Sequence, residues 1–435
     1  MVQTEIHSRF LFLLLTLAVY ILLFPSLTYA QLTWSPPALL NDYGTTDTLP
    51  DTDPDITTDN KGNWVAVWQA AENLGGVAGT DWDIFVSRST DNGATWTAAA
   101  LLDPNGTTDT GGDFRPDIET DGAGNWVTVW TSDETLGGVL GTDWDLFVSR
   151  STDNGATWTA SAVLNSNAAT DTSFDITLSM ETDGAGNWLA VWGSSDDLGG
   201  TVGTDTDIFV SRSTDAGATW TAVALFNTNG TTDTGNDFVP ILEPDGAGNW
   251  VAVWQSRENL GGTAGTDTDL FVSRSTDNGA TWTAPTLLNS NGTTDTESEL
   301  LSDIATDGTG NWVVVWHSSE DLGGTAGTDM DIFVSTSTDN GATWTAPALL
   351  NTNGTTDTGL DSAVSMDADS LGNWVAVWVS GDNPDDPGGT DDDILVARAP
   401  FAAPGLPASG GWMLGVLALT LLVIGRKLLR RATSY

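Results

Sequence analysis

Apolar and polar positions along this chain come in short bursts, and nowhere in the repeated region do they follow a helical period of 3.6. The clearest burst is Trp126-Val-Thr-Val-Trp130, apolar on both faces, as expected of a strand covered by a sheet on either side. A weaker burst over residues 116–120 is centred on Ile118. Two more follow, at 145–150 and 157–164. Clusters of Gly, Asn, Asp and Thr separate them, which is turn chemistry. The pattern predicts units of four short strands without helices.

The unit repeats every 62 residues. Trp34, Trp96, Trp158, Trp220, Trp282 and Trp344 mark one position, and Trp64, Trp126, Trp188, Trp250, Trp312 and Trp374 mark another. The counterparts of Ile118 are Ile56, Met180, Leu242, Ile304 and Met366, all apolar. Six copies of one supersecondary unit mean a repeat architecture. The series opens at residues 33–40, which match a fourth strand, and ends after 393–398, which match a third. The expected fold is therefore all-β: a six-bladed β-propeller of four-stranded antiparallel blades over residues 31–400, the last blade closed by the N-terminal strand. An open solenoid is the alternative.

Between the third and fourth strands stands Ser89-Thr-Asp-Asn-Gly-Ala-Thr-Trp96, repeated from Ser151, Ser213, Ser275 and Ser337. The string resembles the Asp-box, or bacterial neuraminidase repeat, of the sialidase superfamily. Its carboxylates are Asp91, Asp153, Asp215, Asp277 and Asp339, each suited to accept backbone N–H groups of a hairpin whose Gly tolerates positive φ. The resemblance implies a motif that marks the fold and lies on the face away from an active site.

Both ends differ from the repeats. Residues 1–30 read as a signal peptide, with an apolar run over 10–24 after Arg9. Residues 401–411 form a Pro/Gly linker, 412–425 an apolar transmembrane segment, and 426–435 a basic cytoplasmic tail carrying Arg426, Lys427, Arg430 and Arg431. Leu406-Pro-Ala-Ser-Gly410 with the span and basic tail resembles a bacterial C-terminal surface-sorting signal. The expectation is an exported domain at the cell surface, joined to the membrane by its C-terminal segment.

Charge narrows the partners. The chain has no Cys, and residues 31–400 hold 58 acidic against 8 basic side chains, a net charge of 50 negative. Repulsion disfavours nucleic acid, whereas divalent cations or a cationic protein are favoured. No cofactor is required by this reading, but Ca²⁺ fits the recurring Gly-Thr-Asp-x-Asp in the long loops between second and third strands. It supplies Asp81 and Asp83, Asp143 and Asp145, Asp205 and Asp207, Asp267 and Asp269, Asp329 and Asp331, and Asp391 and Asp393. Asp51, Asp53 and Asp55 form a second candidate set. Solubilising turn caps are the competing explanation for all of them.

The sialidase resemblance implies three arginines on a substrate carboxylate, a Tyr nucleophile and an acid/base Asp. Phe114-Arg115-Pro116 partly resembles that family's Phe-Arg-Ile-Pro motif. Arg115 and Arg257 are the only arginines peculiar to one copy, since Arg88, Arg150, Arg212, Arg274 and Arg398 recur in third strands. Tyr43 is the single Tyr between the two ends and stands at the closing strand. His317 reads as structural. Trp82 and Trp144, replaced elsewhere by Thr, Met or Asp, are candidates for an exposed ligand face together with Arg115 and Arg257. Six nearly identical loop sets suit a scaffold or multivalent binder of carbohydrate or protein better than one asymmetric catalytic centre. The expected function is a non-catalytic binding or structural module; an exo-α-sialidase or related glycosidase is the alternative.

Overall fold

The computed structural model describes residues 38–399 except 42, 44–48, 72–77, 80, 108–109, 266, 357, 370–371 and 382–392. The expected signal peptide, linker, transmembrane segment and sorting tail lie outside the described residues. Within them the protein is all-β, with one 3₁₀ turn at Pro104–Thr107. No helix among the described residues is long and apolar enough to cross a membrane.

Six antiparallel sheets follow one another along the chain, each with its strands in sequential order. Sheet two is representative, with strands Asp113–Thr120, Trp126–Ser132, Asp145–Ser151 and Ala162–Val163. Sheet six has three strands, Asp361–Ala368, Trp374–Ser380 and Asp393–Ala399. The first strand of sheet two starts three residues before the sequence pattern suggests. A bulge between Phe114 and Asp117, with Arg115 at φ 53°, carries pairing past Pro116. The fourth strand, expected over 157–164, is a two-residue ladder. Its first half is held instead by side chains and turns: Thr159 N donates to Arg150 O (2.9 Å) and Ser149 Oγ donates to Thr159 O (2.7 Å).

Successive sheets pack face to face. Val65, Val67, Ile84 and Val86 of sheet one meet Ile118, Trp126, Trp130 and Phe147 of sheet two. The same exchange recurs at the next four junctions. This is why the second strand is apolar on both faces. Trp126, Trp130, Trp188, Trp192, Trp250, Trp254, Trp312 and Trp316 are all fully buried, and truncating such a side chain to Ala costs about 3–5 kcal/mol.

Hydrogen bonds add to this packing at three junctions. Asp55 Oδ2 accepts from Ile118 N (2.8 Å), Asp117 Oδ2 from Met180 N (2.9 Å) and Asp303 Oδ2 from Met366 N (2.7 Å). At the two remaining junctions the corresponding residues are Ser179 and Ile241.

The two ends of the stack are apolar and partly exposed. Val375, Val377, Ile394 and Val396 of sheet six are 46%, 38%, 69% and 66% exposed, and Ile56 of sheet one is 50% exposed. Leu40 and Tyr43, just ahead of sheet one, pack beside Trp68 and Phe85. The turns joining first and second strands gather round one cavity of about 490 Å³, lined from all six sheets by Thr58, Glu119, Thr182, Glu243, Thr306 and Ala368 among others.

Candidate functional site

The repeats present two chemically different ends. At the turn end, each Asp-box is a satisfied hairpin. Asp153 Oδ1 accepts from Ser151 Oγ (2.8 Å), Ala156 N (3.1 Å) and Thr157 N (2.9 Å), and its Oδ2 accepts from Thr157 Oγ1 (2.7 Å). These donors hold its carboxyl below the usual range. The same holds for Asp91, Asp215 and Asp339, and Asp277 falls to about 2 under the side-chain and backbone donors of Thr281 with Ser275. The box is tied to the neighbouring tight turn through Asn154 N and Gly124 O (3.3 Å). Arg150 belongs to this scaffold, donating to Asn125 Oδ1 (3.1 Å), and so does Arg212, donating to Asn187 Oδ1 (2.9 Å).

At the opposite, loop end the carboxylates face one another. Asp143, Asp145 and Asp171 bring ligand oxygens within 4.8 Å of each other; so do Asp205, Asp207 and Asp233, and Asp267, Asp269 and Glu299. In each case the loop before the third strand meets the connection running to the next sheet. The glycine of Gly-Thr-Asp permits this folding, because a Cβ on Gly141 would lie 2.1 Å from Asp143 Oδ1. Asn165 is the brace: fully buried, its Nδ2 donates to Asp145 Oδ1 (2.8 Å) and Asp175 Oδ2 (2.6 Å). Burial pushes Asp145 up to about 6, with Asp143 adding repulsion. Burial and then the charges of Asp145 and Asp143 push Asp171 to about 7. Asp175 is driven well above its ordinary value, chiefly by burial.

The structure thus brings the expected Asp pairs of sheets two, three and four into clusters. The pattern alone missed their partners Asn167, Asp171 and Asp175, with Asn229, Asp233 and Asp237, and Asn291, Asp295 and Glu299. The signal available was the spacing of four and four that recurs after each fourth strand. Asp81 and Asp83 in sheet one, and Asp329 and Asp331 in sheet five, occupy equivalent loop positions, while Asp393 opens the third strand of sheet six and Asp391 lies outside the described residues.

Asp51, Asp53 and Asp55 do not converge. Asp51 accepts from Asn41 and Tyr43, Asp53 is exposed in a bulge at φ 48°, and Asp55 binds the backbone of sheet two.

Trp82 and Trp144 are half-buried rungs of an aromatic ladder, not an open platform. Phe114 lies 6.2 Å from Trp82 and stacks on Trp144 at 5.3 Å, and Trp144 meets Phe174 at 5.8 Å. Phe174, 59% exposed, is the accessible rung. Arg115 is exposed on sheet two. Arg257, on sheet four, lies 5.7 Å over Phe238 and donates to Thr268 Oγ1 (3.2 Å). Tyr43 Oη accepts from Trp68 Nε1 (2.9 Å) and donates to Asp51 (3.0 Å). His317 is buried, with its pKa lowered by desolvation.

Repeated antiparallel sheets closed by satisfied Asp-boxes define an Asp-box repeat protein. The sequence pattern of the BNR repeat-like domain matches residues 19–237, 219 of the 435 residues, and the chain belongs to that family. No curated protein matches it. Among solved structures it is similar to the Hadza microbial sialidase Hz136, at 17% identity over 81% of this chain and 66% of that one, with a TM-score of 0.41. It is also similar to a leech intramolecular trans-sialidase complexed with 2,7-anhydro-Neu5Ac (12%, 84% and 70%, 0.45). A third is the NanB sialidase of Streptococcus pneumoniae (11%, 82% and 69%, 0.44). The chain spans just under two thirds of the first of these.

Proposed function

We propose that this protein is a non-catalytic, sialidase-like β-propeller displayed at the cell surface, which binds a carbohydrate or a cationic protein through its loop end. The distribution of basic side chains carries the reading. Of the eight in residues 31–400, Lys61 stands in a tight turn and five arginines recur in third strands. Only Arg115 and Arg257 remain for the loop end, on sheets two and four. A carboxylated sugar would meet a strongly negative surface there, and each missing charge-assisted bond forfeits about 1.5–3 kcal/mol. The hydroxyl of Tyr43 is already engaged by Trp68 and Asp51. A fluorogenic sialoside assay on the purified protein should give no turnover. Turnover abolished by Arg115→Ala would instead make the protein an exo-α-sialidase.

The six sheets close into a ring in this reading. Its support is one cavity lined from all six, and the match between the two partly exposed apolar end faces. Val375, Val377, Ile394 and Val396 correspond to residues that bury the next sheet at the other five junctions, and Ile56, Trp64 and Trp68 correspond to the surface they cover. The segment before Leu40 then supplies the fourth strand of sheet six. Deleting residues 31–42 should produce aggregation or a large drop in melting temperature; unchanged unfolding would count against closure.

A further inference from the structure

The strongest unexplained feature lies inside the loop-end clusters. Several side-chain oxygens there are buried and accept no hydrogen bond: in sheet two, Asp143 Oδ2, Asp145 Oδ2, Asn167 Oδ1, Asp171 Oδ1 and Asp175 Oδ1. Asp145 is 1% exposed and Asp175 is 0% exposed. Sheet three repeats the set with Asp205 Oδ2, Asp207 Oδ2, Asn229 Oδ1, Asp233 Oδ1 and Asp237 Oδ1, and sheet four keeps Asp267 Oδ2, Asn291 Oδ1 and Asp295 Oδ1. A buried acceptor left without a donor costs about 1–3 kcal/mol, more when charged. Up to five such atoms at one junction would therefore be strongly destabilising unless something supplies positive charge.

No side chain does. Among the described residues, the amides beside sheet two's cluster are already spent on the other side-chain oxygens, Asn165 on Asp145 and Asp175, and Asn167 on Asp171 and Asp196, and Ser194 and Trp192 also bond Asp175. The outcome is an all-oxygen cage of three carboxylates, Asp143, Asp145 and Asp171, whose ligand oxygens lie within 4.8 Å of one another, bordered by Asp175 and Asn167.

We infer that each of these cages holds one Ca²⁺ ion, which fastens the long loop of one sheet to the connection leading to the next. All-oxygen donors exclude the softer metals, which prefer imidazole or thiolate. The number and irregular setting of the oxygens suit Ca²⁺, which takes six to eight at variable angles. Mg²⁺ demands a near-ideal octahedron and retains several waters. An ion at this place also links sheets two and three, because Asp175 immediately precedes the first strand of sheet three. Ca²⁺ would thus set the relative position of neighbouring loops, including Trp144, which stands between Asp143 and Asp145. The inference is independent of whether the protein is catalytic.

Equilibrium dialysis of the full-length protein, stripped with EGTA and titrated with Ca²⁺ in excess Na⁺ and Mg²⁺, tests it. At least three saturable Ca²⁺ ions per chain are expected. Asp145→Asn should remove one ion, and Asp171→Asn, which alters only the loop side of the same cage, should do the same while keeping the fold measured by circular dichroism. The Asp-box variant Asp153→Asn should bind as many ions as the parent. Fewer than three ions in the parent, or an unchanged count in both cage variants, would overturn the inference.

Discussion

The turn end and the loop end of this protein use the same residue, aspartate, at the same 62-residue period, yet in opposite electrostatic settings. At the turn end Asp153 is surrounded by N–H and O–H donors and stays ionised without help. At the loop end Asp145 is braced by one amide, crowded by Asp143 and Asp171, and shifted upward. The difference teaches that the count of donors around a carboxylate, and not its place in a repeated motif, separates a structural cap from a ligand. A cap is complete in the apoprotein. A ligand is recognised by what it still lacks.

A large effect is expected from emptying one hairpin. Asp153→Ala removes the acceptor for Ser151, Ala156 and Thr157 and should destabilise the protein by about 1–2 kcal/mol, by the same amount with and without Ca²⁺. Chemical denaturation under both conditions checks this, and a loss that appears only in Ca²⁺ would erase the distinction between the ends.

A smaller effect concerns the carboxylates of the first strands, Asp117, Glu119 and Glu243. Burial, with Asp117 and Asp55 nearby, raises Glu119 to about 8; burial and then Asp55 raise Asp117 to about 7; and burial with Asp367 and Asp303 raises Glu243 to about 8. Folded values above the unfolded value of roughly 4 mean that the folded chain holds protons the unfolded chain has released. Their contribution is fully present below pH of about 4 and is lost as pH rises through about 7 to 8. At saturating Ca²⁺ the melting temperature should fall between pH 5 and pH 8.5, and Glu119→Gln should flatten that slope. An equally steep slope in the variant would remove these groups from the account.

Local features were legible from the sequence. The period, the doubly apolar second strand and the Asp-box hairpin each depend on residues within a few positions of one another, and their outcome follows from side-chain size and turn chemistry. The Asp pairs were also visible, but not their partners. Asn167, Asp171 and Asp175 lie more than twenty residues from Asp143, and only the three-dimensional return of the chain joins them. The bulge at Arg115 was obscured by Pro116, which reads locally as a strand start. The ladder through Trp82, Phe114, Trp144 and Phe174 was half visible, since its rungs come from three sheets and do not share one repeat position.

The most direct measurement is thermal unfolding of the parent, Asp153→Asn and Asp145→Asn proteins, each in EGTA and in saturating Ca²⁺ at matched ionic strength, because an ion bound only by the folded state raises its melting temperature by mass action. The account predicts a large upward shift on adding Ca²⁺ to the parent, the same shift in Asp153→Asn, and a smaller one in Asp145→Asn. A parent indifferent to Ca²⁺, or a shift that shrinks in Asp153→Asn and not in Asp145→Asn, would contradict it.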